Sequence, residues 1–187
     1  MDAFSYLSVL LSVILGLAIT QVLQGYRALA LNRRRVTLYW PSLAWSITLM
    51  MMVAQHWWAS FDLARRADWS FADFAATLIQ TALIYLMAAL VLPDVPADRD
   101  VDLKEHYWRE RIPFFAAGFA AIGWSIIKEI ILEGRPPERE NLVFHLVFLT
   151  MSAVALARRR EALHNLFAGA MFLIFLAYIA ALFTRLG

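Results

Sequence analysis

Three features of the sequence predict an all-α membrane protein, a bundle of about six transmembrane helices. The chain of 187 residues is 61% apolar and 17% charged, whereas soluble domains are roughly 45–50% apolar and about 25% charged. The apolar residues fall into six runs, and arginine clusters, prolines or glycine separate these runs. Because a soluble domain of this size cannot bury so much apolar surface, we expect a lipid bilayer to surround it.

The six runs have lengths that suit membrane helices. A helix needs roughly 20 largely apolar residues to cross a hydrocarbon core of ~30 Å. The fifth run is the shortest, with 16 residues, and flanking polar side chains that reach the membrane surface make up the difference. We predict a single membrane domain, 1–187, with spans at about 4–31, 39–63, 71–92, 112–132, 142–157 and 166–183.

Arginines, prolines and a glycine mark the ends of the runs. The first run ends at the cluster Arg33–Arg35, and Pro41 lies at the start of the second, where its missing N–H matters least. Pro93 stops the third run and Pro113 begins the fourth. Gly134, followed by an arginine and two prolines, breaks the chain before the fifth.

The longest polar connection follows the third run. Its second part, 101–111, places Val101, Leu103, Tyr107 and Trp108 on much of one helical face. An amphipathic segment of this kind lies along a membrane surface. The sequence therefore predicts a short cytoplasmic interfacial helix here.

Basic residues are distributed unequally between the two sets of connections, and this distribution predicts the orientation. Cytoplasmic loops carry the excess of Lys and Arg, and the counts are eleven against five. Both termini should therefore lie outside the cytoplasm, and we expect the inner (plasma) membrane of a bacterium. The basic residues lie in short clusters between apolar runs and not along one face, so they do not form a nucleic-acid surface. No nucleic-acid partner is therefore expected. The larger set is Arg27, Arg33, Arg34, Arg35, Arg99, Lys104, Arg109, Arg111, Arg158, Arg159 and Arg160; the smaller is Arg65, Arg66, Arg135, Arg139 and Arg185.

Four ionisable residues lie inside the predicted spans, where charge is costly and therefore informative. They are His56, Lys128, Glu129 and His145. At ~1.5 Å per residue, all four lie roughly 5–9 Å below the same, outer surface. This shared depth predicts an outward-facing polar cavity that binds a small solute, an ion or a proton, as in a transporter or channel. Glu129 would pair with Lys128 or His56, and Glu129 or a histidine would be the proton-linked group. Two neutral polar residues, Gln55 and Gln80, complete the candidate site.

A simpler interpretation places each of these groups at the membrane surface independently. Lys128 is close enough to the end of its span for its stem to reach the headgroups. Trp57 and Trp58, which follow His56, fit the aromatic belt at a membrane interface. Under this interpretation, the shared depth has no functional meaning.

Two further functions remain open. Ser8, Ser12 and Gly16 form part of a small and polar stripe on helix one, which would suit a non-catalytic subunit or sensor that forms a homo-oligomer or contacts a partner membrane protein. Alternatively, His56 and His145 would ligate a b-type haem from two helices. Known catalytic motifs and cysteine are missing from the sequence, so we identify no catalytic residue, metal ligand or other cofactor.

Overall fold

The computed structural model describes residues 3–66, 68–96 and 99–182, and these form an antiparallel helical bundle. The all-α prediction is confirmed. Two short strands, β1 (Val36–Thr37) and β2 (Val101–Asp102), pair in parallel between the helices. The helices are α1 (Ala3–Leu31), α2 (Trp40–Ala59), which continues as a 3-10 helix (Ser60–Arg65), α3 (Phe71–Val91), α4 (Leu103–Glu133), α5 (Arg139–Ala157) and α6 (Glu161–Leu182).

Five of these helices are long and apolar enough to cross a membrane, and α2 is not among them. Polar residues lower the hydropathy of α2, and several are buried, including Ser42, Thr48 and His56. They are covered because α1, α3 and α6 pack around α2. The apolar helices indicate a membrane-embedded protein, whereas six spans, their orientation and the kind of membrane stay predictions. The expected end of the sixth run, at residue 183, and Arg185 lie outside the described residues.

Local signals set most of the helix ends. The Asn32 amide donates to the carbonyl of Ala28 at the end of α1, and Pro41 lies in the first turn of α2. Ser70 and Asp73 form a capping box at the start of α3, which satisfies backbone N–H groups that have no partner within the helix. Gly134 ends α4 with φ +67°, a left-handed conformation that glycine adopts without steric cost.

The expected boundary before the fourth span is wrong, because α4 runs without interruption from Leu103 through Pro113 to Glu133. Residues 103–111 are helical, but they form the first turns of α4 rather than a separate interfacial helix. The Asp102 carboxylate accepts from the Lys104 N–H and starts the helix early, and α4 then buries Leu103 and Tyr107. At ~1.5 Å per residue its 31 residues extend about 46 Å, so α4 is longer than the ~30 Å hydrocarbon core.

The connections α1–α2, α3–α4 and α5–α6 meet at one end of the bundle, the Arg-rich end. The strands join the first two, with Val36 opposite Val101. The Tyr39 hydroxyl donates to Oδ1 of Asn165 (3.0 Å) and brings in the start of α6. At the opposite end, the terminal end, the guanidinium of Arg66 donates to the Leu132 carbonyl. The start of α1 and the end of α6 both lie there, as an even number of helices requires.

The middle of the small and polar stripe of α1 is not covered by another helix among the described residues. Ser12 and Thr20 are exposed and donate to carbonyls of their own helix, and a Cβ on Gly16 would have no atom within 4 Å. The predicted packing is therefore wrong within the chain. The contact lies at Gly25 instead, where a Cβ would come within 2.8 Å of Cβ of Leu92. A partner chain across the stripe stays a prediction.

We expect Gly25→Leu to lower the free energy of unfolding by about 1–3 kcal/mol, because the added side chain overpacks the contact with Leu92. Gly16→Leu is the matched control and should leave stability unchanged or slightly raised, since its site is open and leucine favours helix. Chemical denaturation in mixed micelles measures both variants. Equal destabilisation by the two substitutions would contradict the contact at Gly25 and indicate a packed partner at Gly16.

Candidate functional site: a histidine-lined cavity

Five helices line a partly open cavity of about 70 Å³ in the half of the bundle nearer the terminal end. We call it the His cavity. Four of the six candidate residues line it, although they come from α2, α3 and α5. Its full lining is Met52, Gln55, His56, Gln80, Ile84, Ala121, Ile122, Ser125, His145, Phe148, Phe175 and Tyr178. The structure therefore brings these candidates together, and their role in binding stays a prediction.

A hydrogen-bonded ladder on α3 holds His56. The ring is 5% exposed, and its Nε2 lies 3.0 Å from Oγ1 of Thr81. The Thr81 hydroxyl has one proton, which it donates to the Thr77 carbonyl (2.9 Å). It therefore accepts from His56, and Nε2 carries the ring proton when the imidazole is neutral.

His145 is fixed from its own helix. The ring is 6% exposed, and Nδ1 lies 2.8 Å from the carbonyl oxygen of Asn141, one turn earlier on α5. A carbonyl only accepts, so Nδ1 carries the proton. The two histidines thus adopt opposite tautomers in their neutral forms.

Gln80 lies on the wall of the His cavity and carries an unpaired acceptor. Its side chain is 8% exposed, and Oε1 is buried without a hydrogen-bond partner among the described residues. Leaving such a group unpaired costs about 1–3 kcal/mol, and the packing around Oε1 leaves it almost no accessible surface. Gln55, half-buried on α2, lies on the wall of the same cavity.

Lys128 and Glu129 lie at the margin of the His cavity and are not in its lining. The charge of Lys128 acts on both His56 and His145. Among the described residues, Glu129 forms no ion pair with Lys128 or His56, so the expected pairing is wrong. Its Oε2 accepts from Nδ2 of Asn141 instead (3.3 Å).

Asn141 links three helices at the mouth of this site, and sequence reasoning did not select it. Its Oδ1 accepts from the Tyr178 hydroxyl on α6 (3.2 Å), while its Nδ2 donates to Glu129 on α4. Tyr178 is buried and lines the His cavity. Both residues lie at the depth of the selected set, but a search for ionisable groups passes over a neutral amide and a phenol.

Three further cavities continue from the His cavity toward the Arg-rich end. An apolar cavity of about 40 Å³ shares Met52, Phe148 and Phe175 with it. A third, of about 10 Å³, shares Trp45 and Phe115 with the apolar cavity. The third adjoins a polar basin of about 380 Å³ that opens between α1, α3 and α4. Thin layers of side chains thus separate successive spaces along the bundle.

The His cavity does not fit a haem. Pockets for ligands of drug size are roughly 300–1,000 Å³, whereas the space beside His56 and His145 is about 70 Å³. Within the described part of the chain, no three His, Asp or Glu side chains form a group that could hold a metal ion.

Comparison of the chain with protein-family models, with curated proteins and with solved structures finds no match.

Proposed function

We propose that the chain is a transport- or channel-like membrane protein that binds a small molecule or proton in the His cavity. The observation that carries this proposal is that two buried histidines, from α2 and α5, line one small space together with Gln80. Polar groups in a membrane interior are costly, and they are kept where a substrate or ion pathway uses them. Here five helices supply them to a single space.

The row of cavities supports movement of the bound species through the bundle. The His cavity and the polar basin lie toward opposite ends, and the apolar cavity lies between them. Met52, Phe148 and Phe175 form the wall between the first two spaces. Apolar constrictions of this kind gate channels, and rearrangement of such side chains would connect the spaces.

We expect vesicles that contain the protein to pass protons, urea or chloride faster than protein-free vesicles. An internal pH dye under a potassium diffusion potential follows protons, light scattering after an osmotic jump follows urea, and a chloride-quenched dye follows chloride. Ala121 is 5% exposed and lines both the His cavity and the apolar cavity. Ala121→Phe should therefore reduce the flux to the protein-free level.

Ile127→Phe on the same helix is the matched control, because Ile127 is 47% exposed on the outer surface of the bundle. It should leave the flux unchanged. Gel filtration and thermal unfolding of both variants verify that they are folded. If none of the three probes crosses, or if a folded Ala121→Phe variant passes them normally, transport through the His cavity is wrong.

One observation favours a different function, that of a subunit or sensor. The stripe with Ser12 and Gly16 on α1 is open within the described chain, as a seam for a second helix would be. The two functions make different predictions for Gly16→Leu, which should separate a complex in the membrane if the stripe is a seam. Under the transport proposal the same variant retains full flux.

A further inference from the structure

We infer that the His cavity binds a small uncharged molecule that donates hydrogen bonds. This inference rests on the proposed function and specifies its ligand. The inference comes from which polar atoms of the cavity are already used. His56 donates from Nε2 to Thr81, so Nδ1 is left as a bare acceptor. No partner for Nδ1 exists among the described residues.

His145 supplies a second bare acceptor by the opposite route. Its Nδ1 donates to the Asn141 carbonyl, so its Nε2 holds a lone pair. That atom also has no partner in the part of the chain that the structure describes. A neutral imidazole that donates from one nitrogen keeps the other as an acceptor. The two histidines, from α2 and α5, therefore each offer one free acceptor, although they adopt opposite tautomers.

Gln80 lies on the wall of the same cavity from α3. Its Oε1 is unpaired but closed off from the space, so the acceptors that a bound molecule reaches are those of the two histidines. Two unpaired acceptors that line one space favour a molecule with several N–H or O–H groups. A molecule without donors leaves both unpaired, and sites built around hydrogen bonds reject analogues that lack them.

Charge and size narrow the class further. The opposite charges of Lys128 and Glu129 both act on residues of the lining, so the surroundings suit an uncharged molecule. An anion such as chloride or formate has no hydrogen to donate to the two acceptors. A volume of about 70 Å³ is less than half of a cavity that holds benzene (~150 Å³), so about four non-hydrogen atoms fit. Urea, small amides and ammonia belong to this class.

Three molecules with the same heavy-atom skeleton test the inference. Urea, acetamide and acetone carry four, two and no N–H donors, respectively. The protein, labelled with ¹⁵N-histidine and placed in nanodiscs, is titrated with each. The imidazole ¹⁵N spectrum should show His56 protonated at Nε2 and His145 at Nδ1. Urea should shift Nδ1 of His56 and Nε2 of His145, and acetone should bind at least about tenfold more weakly, as expected for two lost hydrogen bonds.

The chain contains its own controls. It has four histidines, and in His106 and His164 both ring nitrogens already have partners, so neither should respond to urea. His145→Phe removes one of the two acceptors and should weaken urea binding without changing the His56 tautomer. Thr150→Val, at an exposed position of the same helix, should have no effect.

Equal affinity for acetone and urea, binding of formate in place of urea, reversed tautomers or no response to urea would each overturn the inference. None of these results depends on the flux assay. If the ligand class is wrong but transport through the His cavity is right, a flux that Ala121→Phe blocks will still be observed. If that flux is also missing, the proposed function fails on its own measurement.

Discussion

His164→Leu should lower the free energy of unfolding by about 2–5 kcal/mol. His164 is 0% exposed at the Arg-rich end. Its Nε2 donates to the Arg158 carbonyl (2.9 Å), and its Nδ1 accepts from the Tyr107 hydroxyl (2.8 Å). Leucine has a similar volume but leaves the buried Tyr107 hydroxyl without its acceptor, at about 1–3 kcal/mol, and removes the donor to the Arg158 carbonyl. The substitution also removes edge-to-face contacts with the rings of Trp108 and Phe115.

Denaturation in mixed micelles measures this loss, and Thr20→Val is a control for the removal of a polar group from a helix. Thr20 is exposed, and its hydroxyl bonds only to its own helix, at the Gly16 carbonyl, so its replacement should change stability by no more than about 0.5 kcal/mol. A loss below about 1 kcal/mol for His164→Leu would mean that Tyr107 and Arg158 find other partners. The role assigned to His164 would then be wrong.

Hydropathy and proline positions were sufficient to locate the helices, but not all of their beginnings. The end of α1, the start of α3 and the end of α4 follow from an arginine cluster, a Ser-Asp capping box and Gly134. By contrast, α6 begins at Glu161, five residues before the apolar run, because Glu161 pairs with Lys104 (2.7 Å) and His164 has buried partners. Hydropathy indicates which residues suit lipid. A helix can begin before its apolar run, because polar side chains in its first turns find partners in the protein.

Contacts between distant connections were also beyond the sequence. The strand pair depends on two segments about 65 residues apart, Val36–Thr37 and Val101–Asp102, and neither has the length of an ordinary strand. Likewise, the small and polar stripe of α1 suggested a seam at Ser8, Ser12 and Gly16, while the close contact is at Gly25. A small residue permits close approach, but which one is used depends on where the neighbouring helix lies.

Depth along the helices was the informative signal for the candidate site. It placed His56 and His145 at one level from loop charges alone, and in the structure both line the His cavity. It did not show which way each side chain points, so it grouped Glu129 with them although Asn141 holds that carboxylate at the margin. Rotation about a helix axis is set by packing, and an apolar helix in lipid gives little pattern from which to infer it.

Asn141→Leu should reduce the flux through the His cavity at least about tenfold, because a site held about 1 Å too loosely loses its function. The substitution removes the acceptor of the Tyr178 hydroxyl and the donor to Glu129. Tyr178 then loses the hydrogen bond that ties its hydroxyl to α5. Without the Asn141 amide, the Glu129 carboxylate becomes available to Lys128. The charge of Lys128 acts on both histidines.

Asn165→Leu is a closely matched control at the other end of the molecule. Asn165 is half-buried, like Asn141, and its Oδ1 also accepts from a buried tyrosine, Tyr39 (3.0 Å). Both variants lose one tyrosine–asparagine bond, which should lower stability by about 1–3 kcal/mol. Only Asn141 adjoins the His cavity, so only its variant should lose flux in the vesicle assay. Equal loss of flux in the two variants would mean that the effect follows from stability alone, and Asn141 would then have no part in positioning the site.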